Sequence, residues 1–153
     1  MSKIENRLAE LGVVLPQPVA PVANYVPFVR SGSLVHISGQ ISIDAQGGIK
    51  GTVGDDVDLE TGKSAARLCA INLIAQMKAA CEGDLDRVRQ VVKLGGFVQG
   101  AADFTQIPAV VNGASDLMVE VFGDAGRHAR SAVGVYRLPL GFAVEVDAVV
   151  EIA

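Results

Sequence analysis

Two stretches of this chain carry residues able to do chemistry. In the first, Arg127, His128 and Arg130 lie together directly after Gly123-Asp124-Ala125-Gly126, and the chain turns apolar and β-prone from Ser131 onward. A planar guanidinium at the start of a buried strand suits bidentate binding of a carboxylate. On residue type alone, surface charge in a loop explains the cluster more simply. In the second stretch, Glu145 and Asp147 alternate with Val144, Val146 and Ala148 and so share one face of a strand. Carboxylates on a last strand are usually solvated. Under a neighbouring subunit they would be half-buried, and a half-buried carboxylate can order or deprotonate water. Leu138-Pro139-Leu140-Gly141 breaks the chain between them. Gly126–Ala153 therefore reads as a terminal hairpin, with Arg130 entering one strand and Glu145 near the start of the next.

The other reactive residue types are poorly placed. No spacing of His, Cys, Asp or Glu matches a metal site, no Gly-x-Ser-x-Gly elbow occurs, and neither Cys69 nor Cys81 has a histidine nearby in sequence. His36 falls in an apolar strand and reads as a core or edge histidine. Gly95-Gly96 lacks the spacing of a phosphate loop and reads as a bulge or a close backbone approach.

The chain of 153 residues suits one domain with one core. Half its residues are apolar and it has no Trp, so Val, Ile, Leu and Ala must build that core. A net charge of -4, with cations scattered outside the Arg127–Arg130 cluster, argues against general nucleic-acid binding. Cys69 and Cys81 fall in one predicted helix, roughly 18 Å apart along its axis. A disulfide needs Cα atoms within about 7 Å. Free thiols are expected, which suits a reducing compartment. Met1–Leu11 lacks the apolar run of a signal peptide, and no stretch has membrane-spanning length. The expected location is the cytoplasm, with no membrane partner.

Periodicity supplies the elements that must position these groups. Ile4–Leu11 reads as a short helix stopped by Gly12, and the proline-rich Val13–Val22 as an extended arm. Tyr25–Arg30 and Leu34–Ser38 read as a hairpin about Ser31-Gly32-Ser33. Asp44–Gly48 reads as a turn and Gly51–Gly62 as a loop. In Lys63–Glu82, Ala66, Cys69, Ala70, Leu73, Met77 and Ala80 form one apolar helical stripe. Val88–Val98 reads as a strand. Asp103–Phe122 reads as a second helix with Pro108 in its first turn. Two helices on one face of a mixed sheet is the simplest packing of this order. The last strands carry Val133, Val135, Val144, Val146 and Val149 on more than one face, so the sheet's other face calls for cover by self-association.

At this point the sequence resembles the RidA/YjgF family, also called endoribonuclease L-PSP. The resemblance rests on Arg130-Ser131 followed by Ala132-Val133-Gly134-Val135, Leu138-Pro139 and Val144-Glu145-Val146-Asp147-Ala148. Tyr25, Ser38-Gly39-Gln40, Gly83-Asp84-Leu85, Val98, Asp103-Phe104 and Val111-Asn112 add to it in order, over roughly residues 22–153. The resemblance implies an α+β, chorismate-mutase-like fold, a homotrimer, and ligand sites in clefts between subunits. It implies cofactor-independent hydrolysis of 2-imino and enamine acids to 2-keto acids and ammonia. The implied partner is a small carboxylate, and neither a metal nor a cofactor is expected.

Carried over by position, Arg130 binds the substrate carboxylate and Glu145 orients the hydrolytic water. Tyr25, Ser38, Gly39 and Asn112 line the cleft. Ala132, at the place of a cysteine in the deaminase branch, and His128, two residues before Arg130, are grouped with them. Ala23-Asn24 replaces the family's Gly-Pro. Residues 1–21 form an N-terminal extension on a single domain of residues 1–153, which looks like a longer subgroup. Two other readings stay open: a non-catalytic, small-carboxylate-binding or regulatory trimer, and a ribonuclease.

Overall fold

The computed structural model describes residues 2–18 and 23–153; the end of the predicted arm, Val19–Val22, lies outside them. The N-terminal helix α1 spans Lys3–Glu10. Ser2 caps it, its Oγ accepting from the Glu5 amide, and Gly12 takes a φ of 69° just past its end. Helix α1 is docked on the rest of the chain. Leu8 is buried, the Lys3 and Ile4 amides donate to the Asp86 carboxylate, and Arg7 Nε donates to the Glu120 carbonyl. The amide of Ile4 is the main cause holding the Asp86 carboxyl below its usual value.

Strands β1 (Phe28–Ser31) and β2 (Leu34–Ile41) form the expected hairpin, with Gly32 at a φ of 64° in its turn. The Asp44 turn closes as its composition predicts, Oδ1 accepting from the Gln46 and Gly48 amides. Helix α2 spans Leu59–Ala80, starting before the predicted Lys63. Asp58 caps its first turn through the Thr61 amide, and a cap outweighs the cost of an early glycine. Gly62, which looks like a loop residue, is a contact residue: an added Cβ would sit 3.2 Å from Val53 Cγ1.

Strand β3 runs Val88–Gln99 and helix α3 runs Ile107–Phe122. The helix starts later than Asp103 because Pro108 is tolerated only in a first turn. Gly123, at a φ of 63°, ends it. Helices α2 and α3 touch through backbone, since a Cβ on Gly113 would strike the Lys63 carbonyl. Gly113→Ala is therefore expected to destabilise the fold by about 1–3 kcal/mol. The midpoint of urea unfolding reads this, and an unchanged midpoint contradicts it.

Strands β4 (Ala129–Val135) and β5 (Val144–Ile152) complete a mixed five-stranded sheet of order β1-β2-β5-β3-β4. This corrects the hairpin reading of Gly126–Ala153. Strand β3 lies between β4 and β5, pairing parallel with β4 and antiparallel with β5. The β3-α3-β4 crossover makes its two strands parallel neighbours, so β5 must enter on the other edge of β3. The irregularities of β3 fall at Val88–Gln90 and Val91–Lys93, not at Gly95-Gly96. Those glycines serve close approach instead: Val111 of α3 packs on Gly96, and the Asp147 side chain lies over Gly95.

Helices α2 and α3 cover one face of the sheet. Val35, Ile37, Leu94, Val98, Val144, Val146 and Val150 meet Cys69, Leu73, Met77, Val111, Ala114 and Met118 there, all buried. Cys69 and Cys81 are free and buried, and burial pushes both thiols up, Cys69 strongly. The architecture is α+β with helices on one face, as the sequence predicts. The opposite face leaves Val29 and Val133 about half exposed, at 55% and 46%.

Candidate functional site

Glu145 is the second residue of β5. Its neighbours Val144 and Val146 point into the core, so it faces the uncovered side of the sheet. It pairs with Phe97 on β3 and Ile41 on β2. The β2 register shifts between Ile37 and Gln40, and this bulge sets Gly39 against the carboxylate. A Cβ on Gly39 would lie 2.9 Å from both Cδ and Oε2 of Glu145. Ser38, in the same bulge, donates through Oγ to the Val26 carbonyl at 2.8 Å and through N to the Pro27 carbonyl at 2.9 Å. These bonds tie down the segment carrying Tyr25.

Glu145, Gly39, Ser38 and Tyr25 line one cavity of about 1040 Å³. Burial, and secondarily the charge of Asp147 on the same face, push the Glu145 carboxyl above its usual value. The Glu145 carboxylate has no hydrogen-bond partner among the described residues; it packs against Gly39 and lines the cavity. Gly39→Ala is expected to displace it and to lower turnover by about tenfold to a hundredfold, the scale of a misplaced catalytic group. Circular dichroism should stay unchanged, and undiminished turnover contradicts the assignment.

Arg130 sits on the other side of the sheet. It is aligned with Leu94, and its side chain reaches helix α3. Nη1 donates to Asn112 Oδ1 at 2.7 Å and to Ser115 Oγ at 3.1 Å. Ser115 Oγ lies 2.9 Å from His128 Nε2, and His128 Nδ1 lies 2.6 Å from the Gly126 carbonyl. A carbonyl only accepts, so Nδ1 carries the proton and Nε2 accepts from the Ser115 hydroxyl. That leaves the Ser115 oxygen to accept from Arg130. The chain of bonds is internally consistent and spends both Nη1 hydrogens. The Nε and Nη2 hydrogens have no partner among the described residues, and they form the fork a carboxylate fits.

The structure thus gathers the predicted residues into two groups. Tyr25, Ser38, Gly39 and Glu145 share the cavity. Asn112 and His128 gather round Arg130, and Ala132 follows on the same face of β4. Strand spacing and rise separate Arg130 from Glu145 by about 14 Å between Cα positions, on opposite faces. One chain cannot bring both to one small ligand.

Two functional candidates were missed by the sequence reading. Ser115 stands three residues after Asn112, one helical turn on, and that spacing was the available signal. Gln76 is a polar residue among the apolar positions of α2, and it is buried. His36 lines a separate groove of about 450 Å³ on the uncovered face, with Lys93, Ser131 and Asp147. Among the described residues no three His, Cys, Asp or Glu side chains are placed to hold a metal ion, and no helix is long and apolar enough to cross a membrane.

Known proteins resemble this chain over nearly its whole length. A family model described as "YjgF/chorismate_mutase-like, putative endoribonuclease" matches residues 5–151. Protein TCP17 of Trypanosoma cruzi is 49% identical over 152 residues, covering 98% of this chain and 94% of its own. The 2-iminobutanoate/2-iminopropanoate deaminase of Dermatophagoides farinae is 31% identical over 139 residues, covering 90% of each chain. Among solved structures, protein Atu1372 of Agrobacterium tumefaciens superposes with a TM-score of 0.92 at 49% identity, covering 98% of this chain and 92% of that one. TdcF of E. coli, solved with bound serine, superposes with a TM-score of 0.62 at 25% identity, covering 90% of this chain and 94% of that one. The α+β fold, the matched span and these relatives together make the chain a member of the YjgF/RidA family.

Proposed function

We propose that the protein hydrolyses 2-imino acids, and their enamine tautomers, to 2-keto acids and ammonia, without a cofactor. The observation that carries this reading is the Glu145 carboxylate: half-buried, raised in pKa, without a hydrogen-bond partner among the described residues and lining a large cavity. Such a group takes a proton from water near neutral pH more readily than an exposed glutamate does. In the proposed reaction Arg130 holds the substrate carboxylate through its Nε and Nη2 hydrogens. Glu145 accepts a proton as water adds to the C2 carbon of the imine. The same proton passes to the nitrogen and gives the carbinolamine; the proton of the new C2 hydroxyl then moves by way of Glu145 to that nitrogen, the C–N bond breaks, and ammonia leaves as the C2 carbonyl forms.

Because Arg130 and Glu145 face opposite ways in one chain, the reading requires Arg130 of one copy to meet Glu145 of another. The apolar residues on the uncovered sheet face, Val29 and Val133 among them, support a homotrimer closed through that face. Residues 1–153 form one domain in this account, with residues 1–21 as its extension. The buried free thiols suit a cytoplasmic location.

The test is the loss of 2-iminobutanoate or 2-iminopropanoate, generated in place by an amino-acid oxidase or dehydratase. The protein should accelerate that loss without added metal or cofactor; no acceleration overturns the reading. A second reading, a non-catalytic binder of small carboxylates, draws on the serine bound to the TdcF relative. Calorimetry with 2-oxobutanoate beside the imine assay separates them, since binding without turnover favours the binder. A ribonuclease is disfavoured by the net charge of -4. RNA cleavage that survives Arg130→Ala and fades on further purification would dispose of it.

A further inference from the structure

Arg127 and Arg130 stand three residues apart and are held in different ways. Arg127 makes a surface ion pair, its Nε 3.3 Å from Asp124 Oδ1. Arg130 is in no ion pair among the described residues. The two groups that accept from its Nη1, Asn112 Oδ1 and Ser115 Oγ, are both neutral. A carboxylate in their place would spend the guanidinium's charge inside the chain. Neutral acceptors fix its plane and leave the charge to a ligand.

Ser115 plays this part only while its hydroxyl hydrogen points away from the arginine. His128 sees to that. Its Nδ1 is spent on the Gly126 carbonyl at 2.6 Å, so Nε2, 2.9 Å from Ser115 Oγ, takes the hydroxyl hydrogen and turns the oxygen toward Arg130. Gly126 is fixed in turn: it is buried, and a Cβ there would strike the Met118 carbonyl of α3. Orientation thus passes from the backbone of α3 through Gly126, His128 and Ser115 to the guanidinium. A long side chain ordered beforehand loses less freedom when a ligand binds.

We propose that Ser115 and His128 are positioning residues, which hold Arg130 through uncharged bonds so that its Nε–Nη2 edge meets a ligand carboxylate with its charge unspent. The inference rests on the hydrolytic reading only for the ligand, a 2-imino acid or the 2-keto acid it yields.

The test measures hydrolysis of 2-iminobutanoate and, by calorimetry, binding of 2-oxobutanoate to the full chain. Ser115→Ala should raise KM and Kd about tenfold, the low end for one hydrogen bond to a charged group. Its kcat should stay within about twofold of wild type, because the carboxylate is bound alike before and during reaction. Alanine favours the helix, so circular dichroism should be unchanged. Ser115→Thr keeps the hydroxyl and should restore KM. His128→Ala should raise KM in the same way, and adding it to Ser115→Ala should cost nothing more, since His128 acts only through the serine. Ser115→Asp offers an acceptor that is charged, and should bind 2-oxobutanoate at least about tenfold more weakly than Ser115→Ala.

Wild-type KM and Kd in Ser115→Ala, with imine still hydrolysed, overturn this inference and leave the hydrolase reading intact. A loss confined to kcat puts Ser115 in the chemistry and overturns a positioning role. A Ser115→Asp protein that binds as tightly as wild type overturns the role given to neutral partners. Kd values that shift in the stated order, with no imine hydrolysed, support the positioning role and overturn the hydrolase. A wild type that neither binds 2-oxobutanoate nor hydrolyses the imine overturns both.

Discussion

Arg130→Ala is expected to lower kcat/KM for 2-iminobutanoate by about a hundredfold to a thousandfold. Each charge-assisted hydrogen bond to a carboxylate is worth about 1.5–3 kcal/mol, and the free Nε and Nη2 hydrogens can supply two. The carboxylate is present before and during reaction, so most of the loss should appear in KM rather than kcat. Arg130→Lys should recover little, because an ammonium cannot present the fork. The variant should fold normally: among the described residues the Arg130 side chain is bonded only to Asn112 and Ser115 in the middle of α3, and neither is fully buried. A KM unchanged in Arg130→Ala would remove this residue from the site.

Glu145→Gln should act on the other parameter. The amide keeps the shape of the side chain and cannot accept a proton, so kcat should fall by about 10²–10⁴-fold with KM nearly unchanged. The wild-type rate should also carry an acidic limb. Burial and Asp147 raise the pKa of Glu145, and only the carboxylate form works as the base. The rate must therefore fall as pH drops through that raised value, at a pH above the usual glutamate range. The limb should vanish from whatever activity Glu145→Gln retains.

Stability has the opposite sign. Folded Glu145 binds its proton more tightly than the unfolded chain does, so its favourable contribution is full below the unfolded pKa. That contribution is lost as pH rises through the folded value. Glu145→Gln should thus match or exceed wild-type stability at neutral pH and lose that advantage in acid. Urea midpoints for both proteins at pH 4 and pH 7 read this directly.

Faces were legible in the sequence; neighbours were not. The period-2 pattern of Val144, Val146 and Ala148 sets Glu145 outward, and the helical stripe of Cys69, Leu73 and Met77 sets α2 on the sheet. Neither pattern says which strand lies beside which. Pairing is non-local, and the short Leu138–Gly141 break between β4 and β5 invited a hairpin. The β3-α3-β4 order held the missing information, since a strand-helix-strand crossover favours parallel neighbours. With β3 inserted, Arg130 and Glu145 separate onto opposite faces, and the single half-site becomes two halves.

Resemblance named Arg130, Asn112 and Glu145, and the structure supplies what surrounds them. His128 serves the arginine through Ser115. Gly39 makes room for a carboxylate, which no turn propensity predicts. The early start of α2 was hidden because Gly62 looks like a breaker, and only the packing against Val53 explains it.

The most direct measurement is the activity of mixed oligomers. Arg130→Ala and Glu145→Gln proteins are each nearly inactive in this account, for different reasons. Unfolded together in equal amounts and refolded, they should form sites that draw an intact Arg130 from one copy and an intact Glu145 from another. Random assembly gives about a quarter of all sites this composition, so about a quarter of wild-type imine hydrolysis should return. A mixture no more active than the two variants refolded apart, beside an active wild type treated the same way, would contradict a site shared between copies.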